Sequence, residues 1–386
     1  MNKQISIITS LLDTDAYKLH MQQAVFHLYP NTQVKAEFKS RGTQNLTHLY
    51  HQLIEQIEFM AHIQLSDDEF NYLSQLDYFK ADYLLYLSTF RFNPELVNVS
   101  VQGHQLFITI EGSWLDVILW EVPLLAIISE LFHQTENDHL DSAKQQLQSK
   151  LTHQQEQHLN LIEFGTRRRY SKAVQNTIVE ELVSHYPGFL GTSNYALAMK
   201  HHLKPFGTQA HEWFQAHQQI SEKLVDFQVE ALEAWLKEYP DSLLVALTDC
   251  INMDSFLQDF SKPLAEKFTG LRHDSGDPFQ WGDKALRHYQ TLGIEAKDKM
   301  LMFSDGLTLA KAEKLNTYFT GKIQTAFGIG THLTCDIPGV SPLNIVLKLT
   351  ECDGQSVAKI SDEPGKIHCT DAHYIKQLKQ AFGLQS

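Results

Sequence analysis

The stretch FTGLRHDSGDP, residues 268–278, places a short apolar run directly before a cluster of charged residues, a glycine and a proline. A helical pattern follows the proline. From Leu159 onward the same order recurs, and it defines seven βα-type units. Their apolar runs are LNLIEF (159–164), GFL (188–190), LKPF (203–206), SLLVAL (242–247), FTGL (268–271), MLMF (300–303) and IQTAF (323–327).

Consecutive βα units favour a parallel sheet whose reactive residues lie just after the strands, at their carboxyl ends. The repeating segment covers about 190 residues, whereas a complete (β/α) barrel typically has about 250. We therefore predict an α/β fold with an irregular, incomplete (β/α) barrel as the catalytic domain, residues 156–340. An open doubly wound sheet is the alternative, and its ligands also sit beyond the carboxyl ends of strands.

The segments on either side of the barrel have a different pattern. Residues 1–155 mix helical and strand patterns, including a hairpin around Gly103, and are interpreted as an N-terminal α+β domain. Residues 341–386 contain two extended runs around an Asp353-Gly354 turn. We expect these C-terminal strands to rejoin the N-terminal domain.

Composition and charge narrow the functional classes. Thirty-two Lys plus Arg oppose 46 Asp plus Glu, a net charge of −14 without a basic run, so no nucleic-acid partner is expected. The four cysteines lack CxxC spacing, which favours a reduced, cytoplasmic chain over a zinc protein or a secreted one. The most apolar stretch, residues 114–132, contains Asp116 and Glu121, so we expect a buried helix and no membrane association. The first residues do not resemble a signal peptide.

One candidate for chemistry is His211, which stands at the start of a predicted helix just after a strand. A helix N-terminus attracts phosphate, and Asp249, which follows a buried strand, could orient the imidazole. The chain has 20 histidines, so any single one is more often a surface or core residue. The combination with Asp249 is what makes His211 a candidate.

Arg272 and Asp274 belong to the densest polar cluster, LRHDSGDP. Turn formation and helix capping would account for residues 275–278 but not for these two. A guanidinium can grip a carboxylate or phosphate, and a carboxylate can accept bonds from ribose hydroxyls. Turn chemistry alone remains the alternative.

Glycines follow the last two predicted strands, in FSDG and FGIGTH. Backbone amides at Gly306, Gly328 and Gly330 could form an anion-binding nest, and barrels commonly bind phosphate at their last two loops. The segment EFGTRRRYS adds Phe164 and Arg167 at another strand end.

Taken in chain order, these motifs resemble those of the bacterial nicotinate phosphoribosyltransferase family. They are LLDTDAYKLHMQQAVF (11–26), EFGTRRRYS (163–171), GTSNYALA (191–198), GTQAHEWFQAH (207–217), LTDCINMD (247–254), GLRHDSGDP (270–278), FSDG (303–306), FGIGTHLTCD (327–336) and PLNIVLKL (342–349). The resemblance runs from about residue 11 to about residue 365 and implies a type II phosphoribosyltransferase.

The resemblance implies an ATP-hydrolysing enzyme, classed as a ligase, of NAD salvage. Nicotinate and 5-phosphoribosyl 1-diphosphate would give nicotinate mononucleotide and diphosphate, with ATP used through a phosphorylated histidine that matches His211. We expect Mg²⁺ to be held chiefly by the substrate phosphates, so no protein metal ligand is predicted. The family further implies a homodimer with shared active sites.

The resemblance also assigns roles to individual residues. Phe164 and Tyr17 of the partner subunit would sandwich the pyridine ring, while Arg272 and Asp274 would contact the pyridine substituent and the ribose. Further matches are to partner-supplied phosphate ligands (Arg41, Lys359, Lys366) and to loops around the phosphates (Gly306, Gly328, Gly330).

Ser193 is the informative departure, because nicotinamide-specific relatives carry an acidic residue at the matching position. A hydroxyl can donate to a carboxylate, which favours nicotinate over nicotinamide, although Ser193 could instead merely cap a helix. Two other functions remain open. An aldolase or isomerase would need a suitably placed lysine or general base, and we see no lysine so placed. A non-enzymatic paralogue would be expected to lack His211, Asp249 or Arg272.

Overall fold

Two β-sheets organise this computed structural model, which describes residues 6–134, 138–152, 159–363, 366–367, 369 and 371–385. The parallel sheet consists of β4 (Leu161–Glu163), β5 (Phe189–Thr192), β6 (Lys204–Pro205), β7 (Val245–Leu247), β8 (Gly270–His273), β9 (Met300–Phe303) and β10 (Gln324–Ile329). The antiparallel sheet consists of β1 (Gln33–Ser40), β2 (Val97–Gln102), β3 (Gln105–Ser113), β11 (Ile345–Cys352) and β12 (Gln355–Ser356).

The parallel sheet has the strand order of a barrel that is left open at one place. Within the described residues the order is β6-β5-β4-β10-β9-β8-β7, so the first and last strands in sequence, β4 and β10, are neighbours. The opening lies between β6 and β7, where β6 has two residues and one of them, Pro205, has no N–H to donate. The Thr208 hydroxyl spans this gap and donates to the Val245 carbonyl at 2.7 Å. The predicted incomplete barrel is confirmed, with each predicted unit contributing a strand.

Helices surround both sheets. In the described ranges they are α1 (Ala16–Leu28), α2 (Tyr50–Met60), α3 (Asp67–Leu73), α4 (Ala81–Thr89), α5 (Trp114–Val117), α6 (Glu121–His133), α7 (Leu140–Thr152), α8 (Lys172–His185), α9 (Tyr195–Lys200), α10 (His211–Ile220), α11 (Phe227–Glu238), α12 (Met253–Asp259), α13 (Lys262–Lys267), α14 (Pro278–Leu292), α15 (Leu309–Phe319), α16 (Thr331–Thr334) and α17 (Ala372–Ala381). Short 3₁₀ turns cover Thr47–Leu49, Pro94–Leu96, Ile118–Trp120, Thr166–Arg168, Leu224–Asp226 and Ala296–Asp298.

The C-terminal segment returns to the N-terminal one, as predicted. β11 pairs antiparallel with β1, and the turn to β12 has positive φ at both Asp353 (46°) and Gly354 (73°). β2 and β3 form the predicted hairpin. The predicted domain boundary at residue 155 lies outside the described residues, and the boundary at 340 stays a prediction.

The antiparallel sheet and the barrel are held against each other by buried helices. α10 of the barrel packs on β11, and α1 is buried from Ala16 through Val25. The apolar stretch 114–132 forms α5, a 3₁₀ turn and most of α6, all largely buried, as expected. Among the described residues, the helices lack the length and apolar character needed to cross a membrane.

Candidate functional site

A cleft of about 320 Å³ lies at the carboxyl ends of the parallel strands, between the barrel and β11. Strand ends gather there because parallel strands present all their carboxyl ends at one edge. Ten of the residues predicted from sequence line it: Arg41, Phe164, Arg167, His211, Arg272, Asp274, Gly306, Gly330, Lys359 and Lys366. The structure thus brings together most of the predicted site from one chain.

His211 opens α10 and is fixed by a network centred on Asp249. The ring Nε2 donates to Asp249 Oδ1 at 2.8 Å, because a carboxylate can only accept. The second oxygen, Oδ2, accepts from the Ser275 hydroxyl at 2.6 Å and pairs with Lys359 Nζ at 2.8 Å. His211 Nδ1 is therefore left with its lone pair, 3.8 Å from Asp274 Oδ2 at the cleft.

The charges around this histidine keep it neutral. Burial, reinforced by the positive charge of Lys359, lowers the pKa of His211 to about 4. Burial alone would raise the pKa of Asp249, but Lys359 and His211 hold it well below its usual range. A neutral imidazole with an anchored Nε2–H and a free Nδ1 lone pair is suited to act as a nucleophile.

Arg272 and Asp274 form an ion pair on the wall of the cleft. Arg272 Nη2 lies 3.2 Å from Asp274 Oδ1, and Arg272 Nε donates to the Ser304 hydroxyl at 2.9 Å. Burial would raise the pKa of Asp274, but the Arg272 charge lowers it below its usual range. The capping role expected for this turn holds for Asp277, whose side chain accepts from the Gln280 N–H at the start of α14. Ser275 instead donates its hydroxyl to Asp249.

Two aromatic residues lie near the guanidinium groups of the cleft and form what we call the aromatic corner: Phe164 lines the cleft, and Tyr17 lies behind it. The Arg272 guanidinium lies 5.9 Å from the centre of the Phe164 ring, and the Arg167 guanidinium lies 5.9 Å from the centre of the Tyr17 ring. Tyr17 is buried, its hydroxyl donating to Glu121 Oε2 at 3.4 Å. A flat ring with an anionic substituent fits such a pair of aromatic rings and guanidinium groups.

Ser193 is buried and its hydroxyl is directed at a carboxylate of its own chain. Its Oγ donates to Asp15 Oδ1 at 2.7 Å, and Asp15 Oδ2 lies 3.5 Å from Arg167 Nε. The capping role considered for Ser193 belongs instead to Asn194, whose side chain accepts from the Leu197 N–H. Burial raises the pKa of Asp15. Any bound carboxylate that approaches Ser193 and Arg167 therefore competes with Asp15 for both.

The predicted glycines divide between loops and a strand. Gly306 has φ +53° and lies with Gly330 on the cleft wall. Gly328 is buried inside β10, where a Cβ atom would lie 2.3 Å from the Phe164 ring. The expected phosphate loop therefore does not include Gly328, because the missing side chain makes room for Phe164.

Several cleft residues were missed by the sequence analysis. Lys348 of β11, Arg168 and the predicted Arg41 line the cleft and form no ion pair with any described residue. Burial lowers the pKa of Lys348 to about 8; burial and then the Arg167 charge lower that of Arg168 to about 10. A single lysine within the apolar run of β11 was the signal that could have indicated Lys348, but no prediction was drawn from it. By contrast Lys366 pairs with Asp305 at 2.7 Å.

The residues expected from a partner subunit lie at the cleft of their own chain. Arg41, Lys359 and Lys366 line it, and Tyr17 lies against Arg167 behind it. Sharing across an interface is therefore not required to assemble these groups. Whether the protein dimerises stays a prediction.

One group of three side chains has the spacing of a metal site. His211, Asp249 and Asp274 offer ligand atoms that lie within 4.8 Å of one another. Oδ1 of Asp249 accepts from the Nε2–H of His211, and Oδ2 is engaged by Ser275 and Lys359, so these groups do not fit as ligands of a metal ion.

Comparisons with known proteins cover nearly the whole chain. Residues 12–129 match the model of the nicotinate phosphoribosyltransferase (NAPRTase) N-terminal domain, and residues 159–386 match that of the nicotinate phosphoribosyltransferase (NAPRTase) family. A nicotinate phosphoribosyltransferase of Photorhabdus laumondii is 55% identical over 390 residues, covering 98% of this chain and 96% of its own. One of Escherichia coli O9:H4 (strain HS) is 54% identical over 387 residues, with the same two coverages.

Solved structures agree in fold. A nicotinate phosphoribosyltransferase from Vibrio cholerae superposes with a TM-score of 0.93 at 40% identity, covering 99% of this chain and 95% of that one. A putative nicotinate phosphoribosyltransferase from Saccharomyces cerevisiae superposes with a TM-score of 0.90 at 31% identity, covering 99% and 100%.

Proposed function

The chain belongs to the nicotinate phosphoribosyltransferase family, and we propose that it makes nicotinate mononucleotide by a reaction coupled to ATP through phosphorylated His211. The family is one of enzymes that serve NAD biosynthesis. The substrates proposed for this chain are nicotinate, 5-phosphoribosyl 1-diphosphate and ATP. A cytoplasmic location is proposed with them.

The arrangement of His211 is the observation that carries the proposal. Its Nδ1 lone pair attacks the γ-phosphorus of ATP, the bond from that phosphorus to the bridging oxygen breaks, and ADP leaves with the electron pair. The phosphoryl group is later transferred to water, which releases phosphate and restores the neutral imidazole. Asp249 stabilises the positive charge that develops on the ring, and Lys359 offsets charge on the phosphoryl oxygens.

The glycosyl transfer needs positioning more than acid–base chemistry. The pyridine nitrogen of nicotinate attacks C1 of the ribose, the bond from C1 to oxygen breaks, and diphosphate leaves. The aromatic corner at Phe164 and Tyr17 holds the ring, and Arg272 or Arg167 pairs with its carboxylate. Three cations of the cleft form no ion pair within the described part of the chain and match the charge of the departing diphosphate: Arg41, Arg168 and Lys348.

We propose that Mg²⁺ binds at this site together with the substrate phosphates. Oδ2 of Asp274, which lies 3.8 Å from His211 Nδ1, would be the protein ligand to the ion, and the substrate phosphates would hold it otherwise. The ion would neutralise phosphate charge, while the residues of the chain orient the two anions. No dedicated protein cage is needed for that role.

Covalent labelling tests the proposal. Wild-type protein incubated with γ-labelled ATP should acquire an acid-labile, base-stable label, and His211→Ala should not. His332→Ala is the matched control, since His332 lines the same cleft and should keep the label. Label that persists in His211→Ala, or its absence from wild type, would contradict the proposed intermediate.

A further inference from the structure

We propose that Lys18 is a positioning residue that fixes His211 relative to the pyridine pocket and thereby keeps ATP hydrolysis coupled to product formation. This inference rests on the proposed function. It concerns a buried chain of charges, Arg167, Glu121, Lys18 and Glu212, that runs beneath the cleft. Sequence analysis assigned no role to Lys18, Glu121 or Glu212.

Lys18 lies at the centre of this chain and is 1% exposed. Its ammonium is 2.6 Å from Glu121 Oε2 and also contacts Glu212 Oε2. Burial would lower the pKa of Lys18, but the two carboxylates raise it, so the side chain is charged. A charged lysine between two buried carboxylates fixes their separation, because any displacement leaves a buried charge unpaired.

Besides Lys18, each of the two carboxylates, Glu121 and Glu212, contacts one further part of the structure. Glu121 Oε1 lies 3.5 Å from Arg167 Nη1, and its Oε2 accepts from the Tyr17 hydroxyl. Glu212 Oε1 accepts from the Trp114 indole N–H at 2.7 Å. The chain of charges therefore begins at the pyridine pocket and ends at the first turn of α10.

The sequence makes this link direct at both ends. Tyr17 and Lys18 are consecutive in α1, and His211 and Glu212 are consecutive in α10. One residue of each pair belongs to the site and the other to the ion pair beneath it. The loop before α10 also approaches α1 closely, since a Cβ atom at Gly207 would lie 2.8 Å from the Tyr17 backbone nitrogen.

This geometry predicts what loss of Lys18 does to the reaction. Without Lys18, Glu121 keeps Arg167 as a counter-ion, whereas Glu212 has no cation among the described residues. Repulsion between the two carboxylates then shifts α10 relative to α1. A phosphohistidine displaced from the phosphoribosyl substrate transfers its phosphoryl group to water without product being formed. A misplacement of about 1 Å can cost about a hundredfold in such steps, and we expect about tenfold for the smaller shift that a buried helix can make. Uncoupling, measured as ATP hydrolysed per nicotinate mononucleotide formed, is the expected signature.

The test compares Lys18→Met with Lys299→Met in the full chain. Lys299 is also buried, but it precedes β9 at the opposite end of the barrel, where its ammonium donates to the carbonyls of Glu266 and Phe268. At a temperature where both variants are folded, Lys18→Met should raise the ratio of ATP hydrolysed to product by about tenfold. Lys299→Met should lower the melting temperature while leaving the ratio unchanged.

Glu212→Gln provides a second route if Lys18→Met does not fold. The amide keeps the size of the side chain and the bond from Trp114 but removes one buried charge, so a smaller rise in the ratio is expected. An unchanged ratio in the folded Lys18→Met variant, or in Glu212→Gln if the former does not fold, overturns the inference. So does an equal rise in Lys299→Met. Absence of product-linked ATP hydrolysis in wild type would instead overturn the proposed function itself.

Discussion

The Nε2 atom of His211 lies 2.8 Å from Oδ1 of Asp249, and this bond decides which ring nitrogen faces the cleft. The proton on Nε2 is held by a carboxylate that Ser275 and Lys359 fix from the other side. Nδ1 is left with its lone pair, at the edge of a cleft lined by cations, and is the atom that we propose as the nucleophile.

The position of the phosphoryl group is the first prediction. Label from ATP should be found on Nδ1 of His211, because Nε2 is occupied by its bond to Asp249. Phosphorus NMR of the labelled protein distinguishes the two isomers. Asp249→Asn should reduce the labelling rate by at least about a hundredfold, since the tautomer is then no longer enforced. A signal from the Nε2 isomer would contradict this geometry.

The second prediction concerns how the rate of labelling depends on pH. The pKa of His211 is lowered to about 4, so the imidazole stays neutral, and nucleophilic, far into the acid range. Labelling should therefore be nearly constant from about pH 8 to about pH 6, whereas an unperturbed histidine would lose half its activity near pH 6.5. The rate is measured by quenched-flow labelling, with circular dichroism confirming the fold. A midpoint near the ordinary value would mean that His211 is solvated.

The choice of acceptor tests Ser193. Ser193→Asp places a second carboxylate against Asp15, which lies 3.5 Å from Arg167, one of the two cations proposed to pair with the nicotinate carboxylate. We expect kcat/KM for nicotinate to fall by at least about tenfold and the ratio for nicotinamide over nicotinate to rise. Ser193→Ala is the matched control, because it removes the bond to Asp15 without adding charge and should shift this ratio much less. Equal discrimination in both folded variants would remove Ser193 from the specificity pocket.

Lys348 should contribute to binding while weakening the unliganded fold. Its ammonium is desolvated and lies near Arg167 and Lys359 without an ion pair among the described residues. Lys348→Met should weaken binding of 5-phosphoribosyl 1-diphosphate by about 10- to 100-fold, the value of a charge-assisted bond, and leave the melting temperature equal or higher. Lys262→Met, at an exposed lysine of α13, should change neither. Unchanged affinity would exclude Lys348 from the phosphate site.

Mixing of chains tests whether one chain is sufficient. His211 lines the cleft and Tyr17 lies behind it, against Arg167 of the same chain, so a mixture of Tyr17→Ala and His211→Ala chains, refolded together, should not regain coupled activity. Recovery toward a quarter to a half of wild-type activity would show instead that the cleft is shared between subunits, as the resemblance implied. The oligomeric state of the mixture is measured alongside.

The fold could be read from the sequence because its determinants are local. Each apolar run of the barrel ends in a polar or glycine cluster, and this pattern alone located the strands. What the pattern could not show is which side of a strand end a residue faces. In the run Arg167-Arg168-Arg169 the three guanidinium groups diverge: Arg167 lies by Tyr17, Arg168 on the cleft, and Arg169 is buried against Asp13 and Glu130.

Contacts between polar residues far apart in the chain could not be predicted from the sequence either. Lys18 and Glu212 are 194 positions apart, and Ser193 and Asp15 are 178 apart, so no spacing along the chain suggests either contact. Gly328 shows the converse. The sequence assigned this glycine to a phosphate loop, but the structure shows that a side chain here would collide with the ring of Phe164, just after the neighbouring strand β4. Such assignments depend on packing between strands, which periodicity does not record.

The most direct test of the central claim is a turnover assay with purified wild-type protein and 5-phosphoribosyl 1-diphosphate, offering nicotinate, nicotinamide and quinolinate as acceptors, with and without ATP. The account predicts that nicotinate is the preferred acceptor, that ATP accelerates its conversion, and that His211→Ala retains a slow rate that ATP no longer changes. Conversion of nicotinate at the same rate with and without ATP, or preference for nicotinamide, would contradict it.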